Sequence, residues 1–173
     1  GSDEVLLVLK NRLTQKHGIS VRIKSIDDMS RALRVFDREI SALYLSEALD
    51  HQNRTFQLAH MLCLLELNDV IAQLTAESGI TSPSGLTRCH VELANYFAAA
   101  FLMPYETFRE AAERTHYDVD RLAATFGVSF EQVCHRLTTL QRKGSEGVPF
   151  FFLRIDKAGN VTKRFNATSF NLA

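Results

Sequence analysis

The sequence has no tryptophan, few cysteines and no net charge. Twenty Lys and Arg residues balance twenty Asp and Glu residues, so the chain lacks the cationic excess that attracts nucleic acid or an anionic membrane over a distance. It has no apolar run of the roughly 18 residues that a transmembrane helix requires, and Gly1 to Glu4 do not resemble the start of a signal peptide. We therefore expect a cytoplasmic protein without a membrane partner.

The scarcity of cysteine excludes several kinds of site. The three cysteines are far apart in the sequence, and no two of them form a C-x-x-C pair: Cys63, Cys89 and Cys134. A disulfide framework, a zinc knuckle or an iron–sulfur cluster needs more thiols than these. Each is predicted to be a small buried side chain.

Length and composition favour one soluble globular domain. The chain has 173 residues, 46% of them apolar and 23% charged, which is typical of a compact fold. Gly1-Ser2 without a methionine is typical of the remnant of a cleaved tag. We expect residues 3–173 to form a single domain cut from a longer protein.

Apolar periodicity predicts mostly helices, with a few strands at each end. The strongest pattern covers residues 53–78, which contain neither Gly nor Pro, with Asn53 as the cap. The other predicted helices are 5–13, 86–103, 105–114, 118–126 and 129–143; the predicted strands are 20–26, 33–36, 40–45, 148–155 and 161–165. Together these elements predict an α+β fold in which a helical bundle accompanies a small antiparallel sheet.

Three motifs resemble the ImmA/IrrE family of zinc peptidases. Residues 54–65 resemble its metal-binding helix, F-T-L-A-H-E-L-G-H, and residues 92–104 resemble its second motif, A-N-x-F-A-A-x-L-L-M-P. Residues 122–129, with Arg136-Leu137, are similar to its third. The resemblance implies the zincin-like fold of that family over about residues 20–143.

The residues that would bind and use the metal are largely missing. A zincin needs two histidines four residues apart, with a glutamate after the first as general base. Here His60 is present, but Met61 replaces the base and Leu64 replaces the second ligand. Cys63 and Glu92 are the remaining donors nearby, too few for a convincing zinc site. We expect no catalytic residue, no metal and no enzyme activity.

The C-terminal part carries a narrower resemblance. Residues 148–165 and the run at 101–106 resemble the short-chain acyl-CoA regulators of actinobacteria and proteobacteria. Such regulators carry an N-terminal helix-turn-helix domain that binds promoter DNA and a cysteine-rich C-terminal region for an iron–sulfur cluster, and neither is present here. The resemblance implies an effector-sensing domain for propionate and acetate catabolism, with a peptidase-like core at about 20–143 and a hairpin at about 148–166.

An acyl-CoA ligand suggests specific contacts. Arg54 and Tyr105 are predicted to sandwich the adenine, because guanidinium and phenol faces both stack on bases. Arg154, Lys163 and Arg164 are candidates for pairing with the phosphates. These residues also have ordinary structural explanations. Arg54 could be a surface arginine, Tyr105 a tyrosine at the edge of the core, and the three basic residues solvated charges on the hairpin.

The acyl tail is expected in the former metal cavity, lined by His60, Leu64 and Tyr96. Burial of each methylene stabilises the complex by about 0.8 kcal/mol, so such a pocket would rank short acyl groups rather than accept only one. Ordinary core packing is the alternative role for these residues.

Other functions stay open at this stage. Residues 118–137 have the spacing of a helix-turn-helix, although their acidic residues nearly offset the basic ones nearby and weaken phosphate binding. A zinc peptidase with an unusual ligand set and a homo-oligomerisation module with an empty cleft are the remaining alternatives.

Overall fold

The computed structural model describes the backbone of residues 2–166 and the side chains of residues 3–162. Contacts divide the chain into two compact units, Gly1–Leu102 and Met103–Ala173. The expectation of a single domain stays a prediction, because a division by contacts does not report independent folding.

The first unit contains a three-stranded sheet and four helices. The strands are β1 (Ser20–Lys24), β2 (Arg34–Asp37) and β3 (Ala42–Ser46); the helices are α1 (Ser2–His17), α2 (His51–Glu66), α3 (Asn68–Glu77) and α4 (Pro83–Leu102). β3 is central, paired parallel with β1 and antiparallel with β2. The predicted hairpin of β2 and β3 is therefore confirmed, but the sheet is mixed rather than antiparallel.

One face of this sheet meets the main core. Leu43 and Leu45 on β3 are fully buried and contribute to a cluster of side chains from α1, α2 and α4. In β2, Arg34 and Phe36 pair with Leu45 and Leu43. Because alternate residues of a strand share a face, Arg34 lies on the same side of the sheet as this core.

The long helix predicted over 53–78 is wrong in two respects. Asp50, not Asn53, is the cap: its carboxylate accepts the Asn53 N–H at 2.8 Å, and α2 begins at His51. At Leu67 the backbone leaves the helical region (φ −117°, ψ 14°), and α2 and α3 meet at 78°. Both helices pack on α4, so tertiary packing overrides a pattern that contains no helix breaker.

α4 begins three residues before its predicted start. The Ser, Pro and Gly content of residues 81–85 favours a loop, but the helix includes Pro83 and Gly85. Proline is well suited to the first position of a helix, where its missing N–H has no intrahelical partner.

The described part of the second unit, residues 103–166, contains three helices and a hairpin. They are α5 (Tyr105–Arg114), α6 (Val119–Phe126), α7 (Phe130–Leu137), β4 (Phe151–Ile155) and β5 (Val161–Asn166), with the two strands antiparallel. α5 matches its predicted range and α6 begins one residue later than predicted, whereas α7 ends six residues early. Thr138 and Thr139 end it, because their hydroxyls donate to the carbonyls of His135 and Arg136 and compete with helical hydrogen bonding.

No helix among the described residues is by itself long and apolar enough to span a membrane. The bent pair α2–α3 reaches that length and apolar content only when its two helices are taken together.

Candidate functional site

His60 lies on α2 and faces an arginine from the sheet. Arg34 Nη1 is 2.8 Å from His60 Nδ1 and donates a second hydrogen bond, 3.2 Å long, to the carbonyl oxygen of Gln57. His60 as a whole residue is only 7% exposed, and the ring centroid of Phe56 lies 6.4 Å from that of the imidazole. The surviving histidine of the peptidase motif is thus bound to a guanidinium group.

This arrangement determines the protonation of His60. Burial lowers the pKa of His60 to about 4, with the positive charges of Arg34 and His90 as smaller causes, so the ring is neutral near pH 7. A guanidinium group has donors and no acceptor, so Nδ1 must be the accepting nitrogen of the pair. The single proton of the neutral ring is therefore on Nε2.

The neighbouring donors of the motif do not form a metal site. Met61 is buried and Leu64 is half-buried, and neither offers a hard donor atom. Burial raises the pKa of the Cys63 thiol to about 11, which opposes the thiolate that zinc would require. Glu92 is exposed on α4, and within the described part of the chain no group of three His, Cys, Asp or Glu residues could hold a metal.

Arg54 occupies the first turns of α2. Its Nη2 donates to the carbonyl oxygen of Glu47 at 3.1 Å, while its Nε is buried and has no hydrogen-bond partner among the described residues. An unsatisfied buried N–H is costly unless a water or ligand binds it. Arg54 and Tyr105 belong to different units, and their pairing across an adenine stays a prediction.

Tyr105 begins α5 and is fixed at its hydroxyl. The hydroxyl donates to the carbonyl oxygen of Ser145 at 3.1 Å and accepts the N–H of Arg142 at 2.8 Å. Both partners belong to the turn that follows α7. The ring therefore has a set position, as a stacking platform requires.

The face of that ring already has a partner. The guanidinium of Arg142 lies 4.2 Å from the ring centroid, and its Nη1 is 2.9 Å from Glu106 Oε1. Sequence reasoning did not identify Arg142 as a site residue, nor Arg34. For Arg34 a signal existed, since it alternates with Val35 at a position of β2 that faces the core.

The other predicted ligand residues are dispersed. Arg154 on β4 forms a 3.1 Å ion pair with Glu131 on α7. Lys163 and Arg164 lie on β5, but their side chains are outside the described residues. Tyr96 on α4 is 39% exposed and packs edge-on against Phe97. Their roles, like those of His60 and Leu64, stay predictions.

One basic residue of the helix pair α6–α7, Arg136, has a structural role. Asp118 caps α6, and Ser129 forms a capping box with Gln132 at the start of α7. Arg136 is 1% exposed and donates to the carbonyl oxygen of Met103 at 3.0 Å and to the Thr139 hydroxyl at 3.1 Å. Arg136 is thus unavailable to DNA phosphates.

Comparison with known proteins identifies the family. The model of the IrrE N-terminal-like domain matches residues 14–138. The chain belongs to this family. Residues 139–173 match the C-terminal model of the short-chain fatty acyl coenzyme A regulators, so both predicted resemblances are confirmed. The zincin-like α+β fold class is confirmed with them, and the peptidase motif is present with His60 but with Leu64 in place of the second histidine.

Several curated relatives are similar over most of the chain. They include the HTH-type transcriptional regulators RamB (41% identical, 95% of this chain) and PrpR (42%, 95%) of Mycobacterium tuberculosis. A propionyl-CoA carboxylase regulator of Cereibacter sphaeroides is 46% identical over 79% of this chain. Each of these is named a regulator and none an enzyme, in agreement with the prediction of no enzymatic activity. The chain spans about a third of the length of these relatives, 30% to 35%.

A solved structure shares the fold. A Mycobacterium tuberculosis transcriptional regulator superposes with a TM-score of 0.90 at 40% identity, covering 99% of this chain and 51% of that one. The peptidase-type fold is therefore found in a transcriptional regulator.

Proposed function

We propose that this chain is the effector-binding domain of a transcriptional regulator and that it binds short-chain acyl-CoA, with propionyl-CoA and acetyl-CoA as the principal ligands. The observation that carries the proposal is the succession of two family matches, the IrrE-like domain followed by the C-terminal segment of short-chain fatty acyl coenzyme A regulators. The state of His60 supports it, because a histidine bound to Arg34 is unsuited to zinc hydrolysis.

The described side chains offer groups that suit the parts of a coenzyme A ester. Tyr105 is an aromatic platform fixed by two backbone groups, and stacking of a base on an aromatic ring contributes roughly 1 to 3 kcal/mol. Arg54 has a buried Nε that needs an acceptor. Leu64, next to His60 on the same face of α2, offers apolar surface for a short acyl tail.

The longer protein would supply the remaining activities. We propose that promoter DNA binds through an N-terminal domain, as the HTH-type names of the relatives suggest, and that an iron–sulfur cluster, where one exists, belongs to a C-terminal region outside this chain. The protein would act in the cytoplasm, and a homo-oligomer would suit a regulator of this kind.

Thermal unfolding with and without ligand tests the proposal. A ligand at a hundred times its dissociation constant stabilises the fold by about 2.7 kcal/mol, so propionyl-CoA and acetyl-CoA should both raise the melting temperature. Tyr105→Ala should reduce that rise, whereas Tyr117→Ala, which changes another tyrosine of the second unit, should leave it in place. If no acyl-CoA stabilises the wild-type chain, the proposed function is wrong.

A second candidate, DNA binding by α6–α7, is weaker on the geometry. Of the basic residues near this segment, Arg136 is buried and Arg142 is paired with Glu106, which leaves little charge for phosphates. A filter-binding assay with random duplex at low salt separates the candidates, since micromolar affinity that falls steeply with salt would favour DNA binding.

A further inference from the structure

The imidazole of His60 has the opposite hydrogen-bonding character from that of a metal ligand. A histidine that binds zinc offers the lone pair of a ring nitrogen to the cation. Here the lone pair of Nδ1 already accepts the N–H of Arg34 at 2.8 Å. What the neutral ring has left to offer is the N–H of Nε2, a hydrogen-bond donor.

Two hydrogen bonds hold Arg34 in a position that keeps the His60 ring in this tautomer. Its Nη1 has two hydrogens, and both are engaged, one by His60 Nδ1 and one by the carbonyl oxygen of Gln57. His60 and Gln57 are neighbours on α2, so a single guanidinium nitrogen bridges two acceptors on adjacent turns of one helix. The guanidinium cannot accept a hydrogen bond, which prevents the ring from adopting the other neutral tautomer while this contact lasts.

The free N–H of His60 calls for an acceptor. Within the described part of the chain no hydrogen bond joins His60 Nε2 to another residue, and the side chain is only 7% exposed. A donor in such surroundings strongly favours a ligand oxygen, because a hydrogen bond gains in strength where water is scarce. A carbonyl oxygen, an acceptor without a charge or a proton of its own, suits a neutral donor.

An apolar neighbour of His60 suits the alkyl part of a ligand whose carbonyl oxygen binds the imidazole. Leu64 lies four residues further along α2, on the same face of the helix, and is half-buried. A ligand whose carbonyl oxygen meets His60 would thus place an adjoining short alkyl group near a leucine. The carbonyl and alkyl chain of an acyl thioester are joined in this way.

We propose that His60 donates its Nε2 hydrogen to the carbonyl oxygen of the bound acyl thioester and that Arg34 is the positioning residue that holds the ring in the required tautomer. This inference rests on the proposed function and assigns a means by which acyl-CoA is distinguished from free coenzyme A. Free coenzyme A ends in a thiol, which has no carbonyl oxygen, so it does not offer the N–H of His60 the acceptor that an acyl thioester offers.

The ratio of two affinities tests the proposal. Isothermal titration calorimetry gives the dissociation constants of propionyl-CoA and free coenzyme A for the wild-type chain, His60→Phe, Arg34→Met and, as a control, Tyr105→Ala. His60→Phe keeps an aromatic ring without the N–H, so the preference for propionyl-CoA should fall about fivefold to tenfold, the effect of one neutral hydrogen bond. Arg34→Met should lower it less, whereas Tyr105→Ala should weaken both ligands alike and leave the ratio unchanged.

Nitrogen-15 NMR of the histidine side chains gives a readout without ligand. The wild-type chain should show His60 as the neutral Nε2–H tautomer at pH 7, and Arg34→Met should introduce the other tautomer. An unchanged affinity ratio in His60→Phe, or an Nδ1–H tautomer in the wild type, would overturn this proposal alone. A wild-type chain that binds neither propionyl-CoA nor coenzyme A would instead overturn the proposed function, and this inference with it.

Discussion

The two units each pair an arginine with the ring of a candidate ligand-binding residue, but in different ways. In the first unit Arg34 meets the edge of His60, with 2.8 Å between the two nitrogens. In the second, Arg142 lies over the face of Tyr105, 4.2 Å from its centroid. Arg34 is half-buried, and burial lowers the pKa of its guanidinium, whereas the side chain of Arg142 is 59% exposed.

The difference separates two functions of an arginine. A directional hydrogen bond away from solvent fixes the chemical state of its partner, because breaking it leaves polar groups unsatisfied. The contact of an exposed guanidinium with a ring face contributes only about 0.5 to 1 kcal/mol, so a ligand base can replace it. We therefore expect Arg34 to remain in place when ligand binds and Arg142 to move.

The largest effect is expected from Arg34→Met. The substitution removes the guanidinium group that donates hydrogen bonds to His60 Nδ1 and to the Gln57 carbonyl oxygen. It should lower the free energy of unfolding by about 2 kcal/mol, as measured by urea denaturation. Arg22→Met, at an exposed position of β1 in the same sheet, is the matched control and should change the free energy of unfolding by less than about 0.5 kcal/mol. Equal effects of the two substitutions would show that the buried hydrogen bonds do not distinguish Arg34.

An intermediate effect is expected from Glu66→Gln, which tests an ion cluster between α1 and α2. Glu66 accepts from Arg12 at 2.6 Å and 2.7 Å and also pairs with Lys16 and His17. The hydrogen bonds from Arg12 are the main reason that the pKa of Glu66 lies well below its ordinary value. Removing the charge should lower the free energy of unfolding by about 1 kcal/mol at pH 7.

The pH dependence of this effect has a defined sign. The folded state favours the ionised form of Glu66, so its contribution is complete above the ordinary glutamate pKa of about 4.3 and is lost as the pH falls below it. The difference between wild type and Glu66→Gln should therefore shrink from pH 7 to pH 3, whereas Glu92→Gln, at an exposed position of α4, should have little effect at either pH. A difference that is constant over this range would mean that Glu66 acts by packing alone.

The sequence predicted those features that depend on local chemistry. The predicted end of α6 at residue 126 is correct, because Gly127 follows it with φ 64°, and the predicted C-terminal hairpin is present as β4 and β5. The loss of the general base and of the second zinc ligand is visible from Met61 and Leu64, because the motif defines which residue type each position requires. In each case the deciding residues are neighbours in the chain.

Features that depend on distant residues were missed. Nothing near Leu67 indicates the bend between α2 and α3, since packing on α4 produces it. The partner of His60 is Arg34, 26 residues earlier in the chain, and the partner of Tyr105 is Arg142, 37 residues later. Pairing across such separations depends on sheet register and helix packing, which local patterns do not encode.

The smallest effect on stability is expected from Arg142→Ala. The residue is exposed and pairs with Glu106 at the surface, so its loss should lower the free energy of unfolding by less than about 1 kcal/mol. The substitution removes the nearer of two guanidinium groups from the Tyr105 ring, the other being that of Arg136 at 5.7 Å, and keeps the backbone N–H that holds the Tyr105 hydroxyl. Propionyl-CoA should therefore bind about two to five times more tightly. Calorimetric titration measures this change, and Arg121→Ala, at an exposed position of α6, should leave the affinity unaltered. Weaker binding in Arg142→Ala would show instead that its guanidinium contributes to the complex, and the contrast between a fixed Arg34 and a displaceable Arg142 would no longer hold.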